Sequence, residues 1–136
     1  PQRSWEMFKK SLRADVDDIQ GGTTPEGIHM GIMAGTLDLM QRGFMGMEVR
    51  DDTLYFAPKP LPELEGLSFQ MVYRNTPLRL KLENQTLKVS IEDGEFGQPT
   101  MIGVGDEVIE LQVGDSHSFP LSPPKAKAAP AKKALA

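Results

Sequence analysis

Apolar residues recur at helical spacing up to Phe44 and at every second position beyond it. Over residues 3–14, Trp5, Phe8 and Leu12 fall at i, i+3 and i+7, one apolar stripe with lysines beside it, and this spacing predicts a helix. An acidic, glycine-rich stretch follows, Asp15-Val-Asp-Asp-Ile-Gln-Gly-Gly-Thr-Thr. A second helix is predicted from Pro25 to about Arg42. Thr24 fits an N-cap, with Pro25 at the first helical position. Thr23 with Glu26 three residues on fits a capping box instead, a start that differs by one residue.

The second helix is apolar on too many sides. Ile28, Ile32, Gly35 and Leu39 make one face; Met30, Met33, Leu37, Met40 and Phe44 make another. A helix apolar nearly all round belongs inside a larger assembly. The chain offers one other helix to cover it, so its remaining partners are expected to lie outside the sequence given.

Beyond Phe44 the period is two. Met45–Arg50 and Thr53–Ala57 flank Asp51-Asp52, a hairpin turn. Pro58, Pro60 and Pro62 interrupt regular structure. Leu67, Phe69, Met71 and Tyr73 then alternate with Ser68, Gln70 and Val72. Leu78, Leu80 and Leu82 alternate with Arg79, Lys81 and Glu83, and Leu87, Val89 and Ile91 with Lys88, Ser90 and Glu92. A weaker strand near Thr100–Val104 precedes Ile109, Leu111 and Val113. Strands with one apolar and one polar face are antiparallel and half exposed, and about seven of them joined by short turns predict a β-sandwich. Leu80, Leu82, Val89, Ile91, Ile109 and Leu111 are expected in its core.

Composition narrows the function. Apolar residues make up 39% and charged residues 25%, enough apolar material for a core. Residues 121–136 hold Lys125, Lys127, Lys132 and Lys133, three prolines and no acid, and read as a disordered basic tail. Taking those four lysines from 15 bases leaves 11 against 19 acids, a net charge of −8 over residues 1–120. Such a body is ill suited to nucleic acid. The chain has no cysteine, which removes disulfides, thiolate metal sites and cysteine nucleophiles. Its two histidines, His29 and His117, cannot make a three-histidine metal site. No apolar run approaches the roughly 20 residues of a membrane helix.

Few residues could carry chemistry. His29 is placed about one turn into the second helix, near N–H groups that favour anions, with Thr23 and Thr24 as further donors. The competing role is a buried histidine that holds the loop by bonding the backbone, and the residues alone favour it. Asp15, Asp17 and Asp18 could suggest a carboxylate pair, but aspartates before a Gly-Gly turn more commonly bond nearby backbone N–H groups. Glu26 suits a helix start and Trp5 a packing anchor. Gly103-Val-Gly105 is too short for a phosphate loop, His117 reads as a turn residue, and Asn84-Gln85-Thr86 is a sequon with no sign of use.

The string Asp17-Asp-Ile-Gln-Gly-Gly-Thr-Thr-Pro-Glu-Gly-Ile-His-Met-Gly, with Met33-Ala-Gly-Thr after it, resembles glycoside hydrolase family 65. That family holds inverting phosphorylases of maltose, trehalose, kojibiose and related α-glucosides, and some hydrolases. Gly43-Phe-Met-Gly-Met-Glu-Val-Arg-Asp-Asp and the run Leu54…Pro58…Leu61-Pro…Leu67-Ser-Phe…Tyr73-Arg are similar to the family's passage into its C-terminal β-sandwich. The resemblance covers about residues 5–113.

It implies an α+β fragment: the last helices of an α/α barrel in residues 1–44, a small antiparallel β-sandwich in 45–120, and the tail in 121–136. It implies the C-terminal part of an inverting α-glucoside phosphorylase, which uses inorganic phosphate as co-substrate to release β-glucose 1-phosphate. His29 matches a histidine that helps bind phosphate, and Thr23 and Thr24 flank it. The family's general-acid glutamate matches no residue here, so the 136 residues alone are expected to be inactive. No metal or organic cofactor is implied. The expected partners are a disaccharide, phosphate and the rest of the catalytic domain, with a homodimer left open, in the cytoplasm and without nucleic acid or membrane. A same-family hydrolase such as a trehalase, or a non-catalytic β-sandwich binding module, are the alternatives.

Overall fold

The computed structural model describes residues 2–14, 16–17, 27, 29–59, 61–94 and 97–121. Two helices come first, α1 (Gln2–Arg13) and α2 (Met30–Asp38), and a wider π-helical turn, Leu39–Phe44, continues α2. Eight strands follow: β1 (Glu48–Arg50), β2 (Thr53–Phe56), β3 (Gly66–Tyr73), β4 (Thr76–Glu83), β5 (Thr86–Ile91), β6 (Thr100–Val104), β7 (Glu107–Leu111) and β8 (Ser116–Pro120). They form two four-stranded sheets, ordered β1-β2-β6-β7 and β3-β4-β5-β8. The predicted tail beyond Leu121 lies outside the described residues.

Two-residue turns set the hairpins. Asp51-Asp52, Arg74-Asn75 and Asn84-Gln85 all have positive φ, between 43° and 67°. Paired positive φ matches the twist of the flanking strands, and Asn and Asp tolerate it at little cost. The registers follow: Arg50 faces Thr53, Tyr73 faces Thr76 and Glu83 faces Thr86. The sequon is thus a tight β4–β5 turn.

The alternating leucines fill the space between the sheets. Leu80, Leu82, Val89, Ile91 and Leu111 are buried and Ile109 packs against them half-buried. Leu111 and Ile109 lie with Leu54, Phe56, Ile102 and Val104 in the β1-β2-β6-β7 sheet, which faces the apolar side chains of β4 and β5. Each fully buried side chain of this kind contributes roughly 1.5–3 kcal/mol. The pattern overreached at Val113, which lies past the end of β7 and is exposed. His117 is no turn residue; it lies in β8 opposite Val89.

The all-antiparallel expectation fails at one pair. β2 and β6 run parallel, with Leu54 opposite Ile102. After β2 the chain builds β3–β5 in the other sheet, then returns beside β2 in the same direction. The predicted weak strand is therefore central, and Ile102, Gly103 and Val104 are all buried.

The π-helical turn joins helices to sandwich. Met45 N–H bonds the Met40 carbonyl at 3.0 Å, a five-residue step. The wider turn sends adjacent side chains into different clusters. Phe44 packs with Phe8 and Leu61, flanked by Trp5, Met40 and Leu64; Met45 enters the sandwich core. Trp5 stacks on Phe8 at 5.5 Å between ring centroids and meets Phe44 edge-on at 6.1 Å. Trp5 thus holds α1 against the joint with the sandwich. Leu12, on the predicted stripe, is exposed.

Candidate functional site

The second helix starts at Met30 rather than Pro25. Gly27 has φ +97°, in the left-handed region that a right-handed helix cannot pass through. His29 is extended, with φ −84° and ψ 102°. His29 is therefore the N-cap residue, not a residue one turn inside. Its carbonyl accepts the N–H of Ile32 at 2.9 Å and of Met33 at 3.3 Å. Its side chain is exposed in this chain.

This places His29 where the first backbone N–H groups of α2 lack intrahelical acceptors. Those groups carry the positive end of the helix dipole, so the chemistry available is that of an anion site. Thr23, Thr24 and Glu26 lie outside the described residues, as do Asp15 and Asp18. Asp17 is described. Its carboxylate pairs with Arg13 at 2.6 Å and its N–H bonds the Arg13 carbonyl at 2.8 Å, so it closes the end of α1. Among the described residues no three His, Asp or Glu side chains gather as a metal site, and no helix is long and apolar enough to cross a membrane.

α2 leaves Met30, Met33 and Leu37 exposed, with Met30 at 78% and Leu37 at 66%, and Leu39 at the start of the π-helical turn is exposed too. Thr36 is buried and donates its hydroxyl to the Met33 carbonyl at 2.7 Å. A cavity of about 220 Å³ opens elsewhere, at the joint of helices and sandwich, between Phe44, Lys59, Leu61 and the β4–β5 turn. His29 is not among its walls. Sequence reasoning missed this joint. Leu61 sits among prolines read as interruptions, and an apolar residue held between prolines was the available signal.

Paired charges lie on the strands, away from His29. Arg50 Nη2 donates to Glu48 Oε2 at 2.5 Å, which holds the Glu48 carboxyl below its ordinary value. Glu92 is lowered likewise, first by Arg79 Nε at 2.5 Å, with Gln70 Nε2 also donating at 2.8 Å. His117 Nε2 and Glu107 Oε1, 3.0 Å apart, bridge β8 and β7 across the two sheets.

Residues 47–111 match the sequence profile of the glycosyl hydrolase family 65 C-terminal domain. The chain carries the C-terminal domain of glycosyl hydrolase family 65. The matched stretch takes in β1 through β7 of the family 65 sandwich. An uncharacterized glycosyl hydrolase of Mycobacterium tuberculosis is 39% identical over 109 residues, 80% of this chain and 8% of the relative. Trehalose 6-phosphate phosphorylase of Lactococcus lactis is 31% identical over 111 residues, 82% of this chain and 14% of the relative. A candidate kojibiose phosphorylase from the human microbiome has the same fold, with TM-score 0.70 at 23% identity, covering 84% of this chain and 14% of that one. The chain thus spans about a seventh or less of the length of these relatives.

Proposed function

We propose that this chain is the C-terminal part of an inverting α-glucoside phosphorylase, which opens a disaccharide with inorganic phosphate and releases β-glucose 1-phosphate. The similarity to a trehalose 6-phosphate phosphorylase over 82% of the chain carries the reading. His29 at the α2 N-cap supports it. A phosphate there would accept hydrogen bonds from leading N–H groups and from the imidazole, with Thr23 and Thr24 as further donors. In-line attack at the anomeric carbon forms the new C–O bond from the face opposite the leaving sugar, which departs with a proton from a glutamate elsewhere in the polypeptide. The role of His29 is to position phosphate and balance its charge. The 136 residues alone supply no such acid and are expected to turn over nothing.

The test is the full-length polypeptide assayed on α-linked glucose disaccharides with and without phosphate. Phosphate-dependent formation of the β-anomer of glucose 1-phosphate, followed by NMR, is the expected result. Glucose release at the same rate without phosphate would make the enzyme a hydrolase and overturn the reading.

A further inference from the structure

The cavity at the joint combines aliphatic walls with two uncommitted charges of opposite sign. Leu61 and Leu82 are buried in its walls, and Leu64 and Leu67 are half-buried beside them. Phe44 is a further wall, with its ring edge-on to Phe8 and Trp5. Lys59 and Glu65 line the same space and are exposed. Among the described residues neither side chain has a hydrogen bond or an ion pair, with the other or with a neighbour. The third charged wall residue, Glu83, is engaged by Lys81 at 2.6 Å. The backbone fixes where the two free charges start. The Lys59 N–H donates to the Phe44 carbonyl at 2.8 Å, and Glu65 directly precedes Gly66, which opens β3 opposite Glu83.

We propose that this cavity binds a free α-amino acid with a branched aliphatic side chain, such as leucine. The side chain would lie on the four leucines, the carboxylate would meet Lys59, and the ammonium would meet Glu65. The cavity, about 220 Å³, is below the roughly 300–1,000 Å³ of pockets for larger ligands, so a compact molecule suits it. A hexose carries hydroxyls around its whole ring, and those turned to the leucines would lose water without gaining a partner. A fatty acid or an alkyl amine would satisfy one of the two charges and leave the other unpaired. A zwitterion uses both, through charge-assisted hydrogen bonds. The amides of Asn84 and Gln85, at the β4–β5 turn in the same walls, can donate to its carboxylate or accept from its ammonium. The inference does not depend on the phosphorylase reading.

Trp5 is the single tryptophan and lies against Phe44, so its fluorescence reports on this cavity. Titrating the 136-residue chain with L-leucine should give a saturable fluorescence change with a Kd of about 1 mM. Amide NMR shifts of Leu64, Glu65 and Asn84 should saturate with the same constant. 4-Methylpentanoate lacks the ammonium and 3-methylbutylamine lacks the carboxylate, and each should bind about tenfold more weakly or worse. Glycine, without the side chain, should also bind far more weakly. Lys59→Gln and Glu65→Gln should each weaken leucine about tenfold, with urea midpoints unchanged. In Lys59→Gln, leucine and 3-methylbutylamine should bind about equally. An absence of saturable amide shifts at leucine concentrations well above that constant overturns the proposal. So does glucose shifting the same amides as strongly as leucine, or leucine binding left unchanged by both charge variants.

Discussion

The ring of Tyr55 lies across the backbone of Gly103, its Cα partner in the parallel β2–β6 pair. A Cβ at position 103 would collide with Tyr55 Cδ1 and Cε1. The Arg50 guanidinium sits over the same ring, 5.1 Å from its centroid. The glycine thus permits an aromatic ring to seal the outer face of a central strand, and this explains a Gly-Val-Gly stretch that holds no phosphate.

Gly103→Ala should therefore destabilise the sandwich by about 1–3 kcal/mol, the usual cost of overpacking. The collision is with an aromatic ring that also carries the Arg50 guanidinium, so the ring must leave its place. Adding Tyr55→Ala should recover part of the loss, as expected for residues in direct contact. Urea unfolding of both single variants and the double variant checks this. Fully additive losses would show that the ring and the glycine are not coupled.

Acid should weaken the link that Glu92 makes with Arg79 and Gln70. Glu92's carboxyl is held below its ordinary value of 4.5, mainly by the Arg79 hydrogen bond. A lowered carboxyl stabilises the fold above its unfolded-state value and loses that contribution as pH falls through the folded-state value. Glu92→Gln should thus be less stable than the unaltered chain at pH 7, by a small amount because the pair is exposed. The difference should shrink below about pH 4. Urea midpoints at pH 7 and pH 3 measure it, and a difference that grows on acidification would contradict the assignment.

His29→Ala in the full-length polypeptide should impair the use of phosphate. Losing a hydrogen bond to a charged group costs about 1.5–3 kcal/mol, roughly a ten- to hundred-fold fall in kcat/KM for phosphate. His29→Asn keeps a donor and should be milder. Stability should change little, because His29 caps α2 through its backbone carbonyl, which both variants retain. Phosphate kinetics at saturating disaccharide, with thermal melts of both variants, check this. Melting losses with unchanged phosphate kinetics would make His29 a structural residue.

The alternation in Leu78–Leu82 and Leu87–Ile91 determined the inner face of the sandwich, since a one-residue slip would turn every leucine to water. Asp51-Asp52 determined a turn, because the short aspartate side chains tolerate the left-handed region. These are local properties, and one stretch of chain contains all the atoms that settle them. The beginning of α2 was not determined this way. Pro25 and the threonines gave a sound start signal, but the left-handed Gly27 places the cap at His29. The direction of β6 beside β2, the ring over Gly103 and the division of Phe44 from Met45 between two clusters rest on segments far apart in sequence. Only the tertiary structure could decide them, because the closing energy of such contacts comes from neighbours that no local window contains.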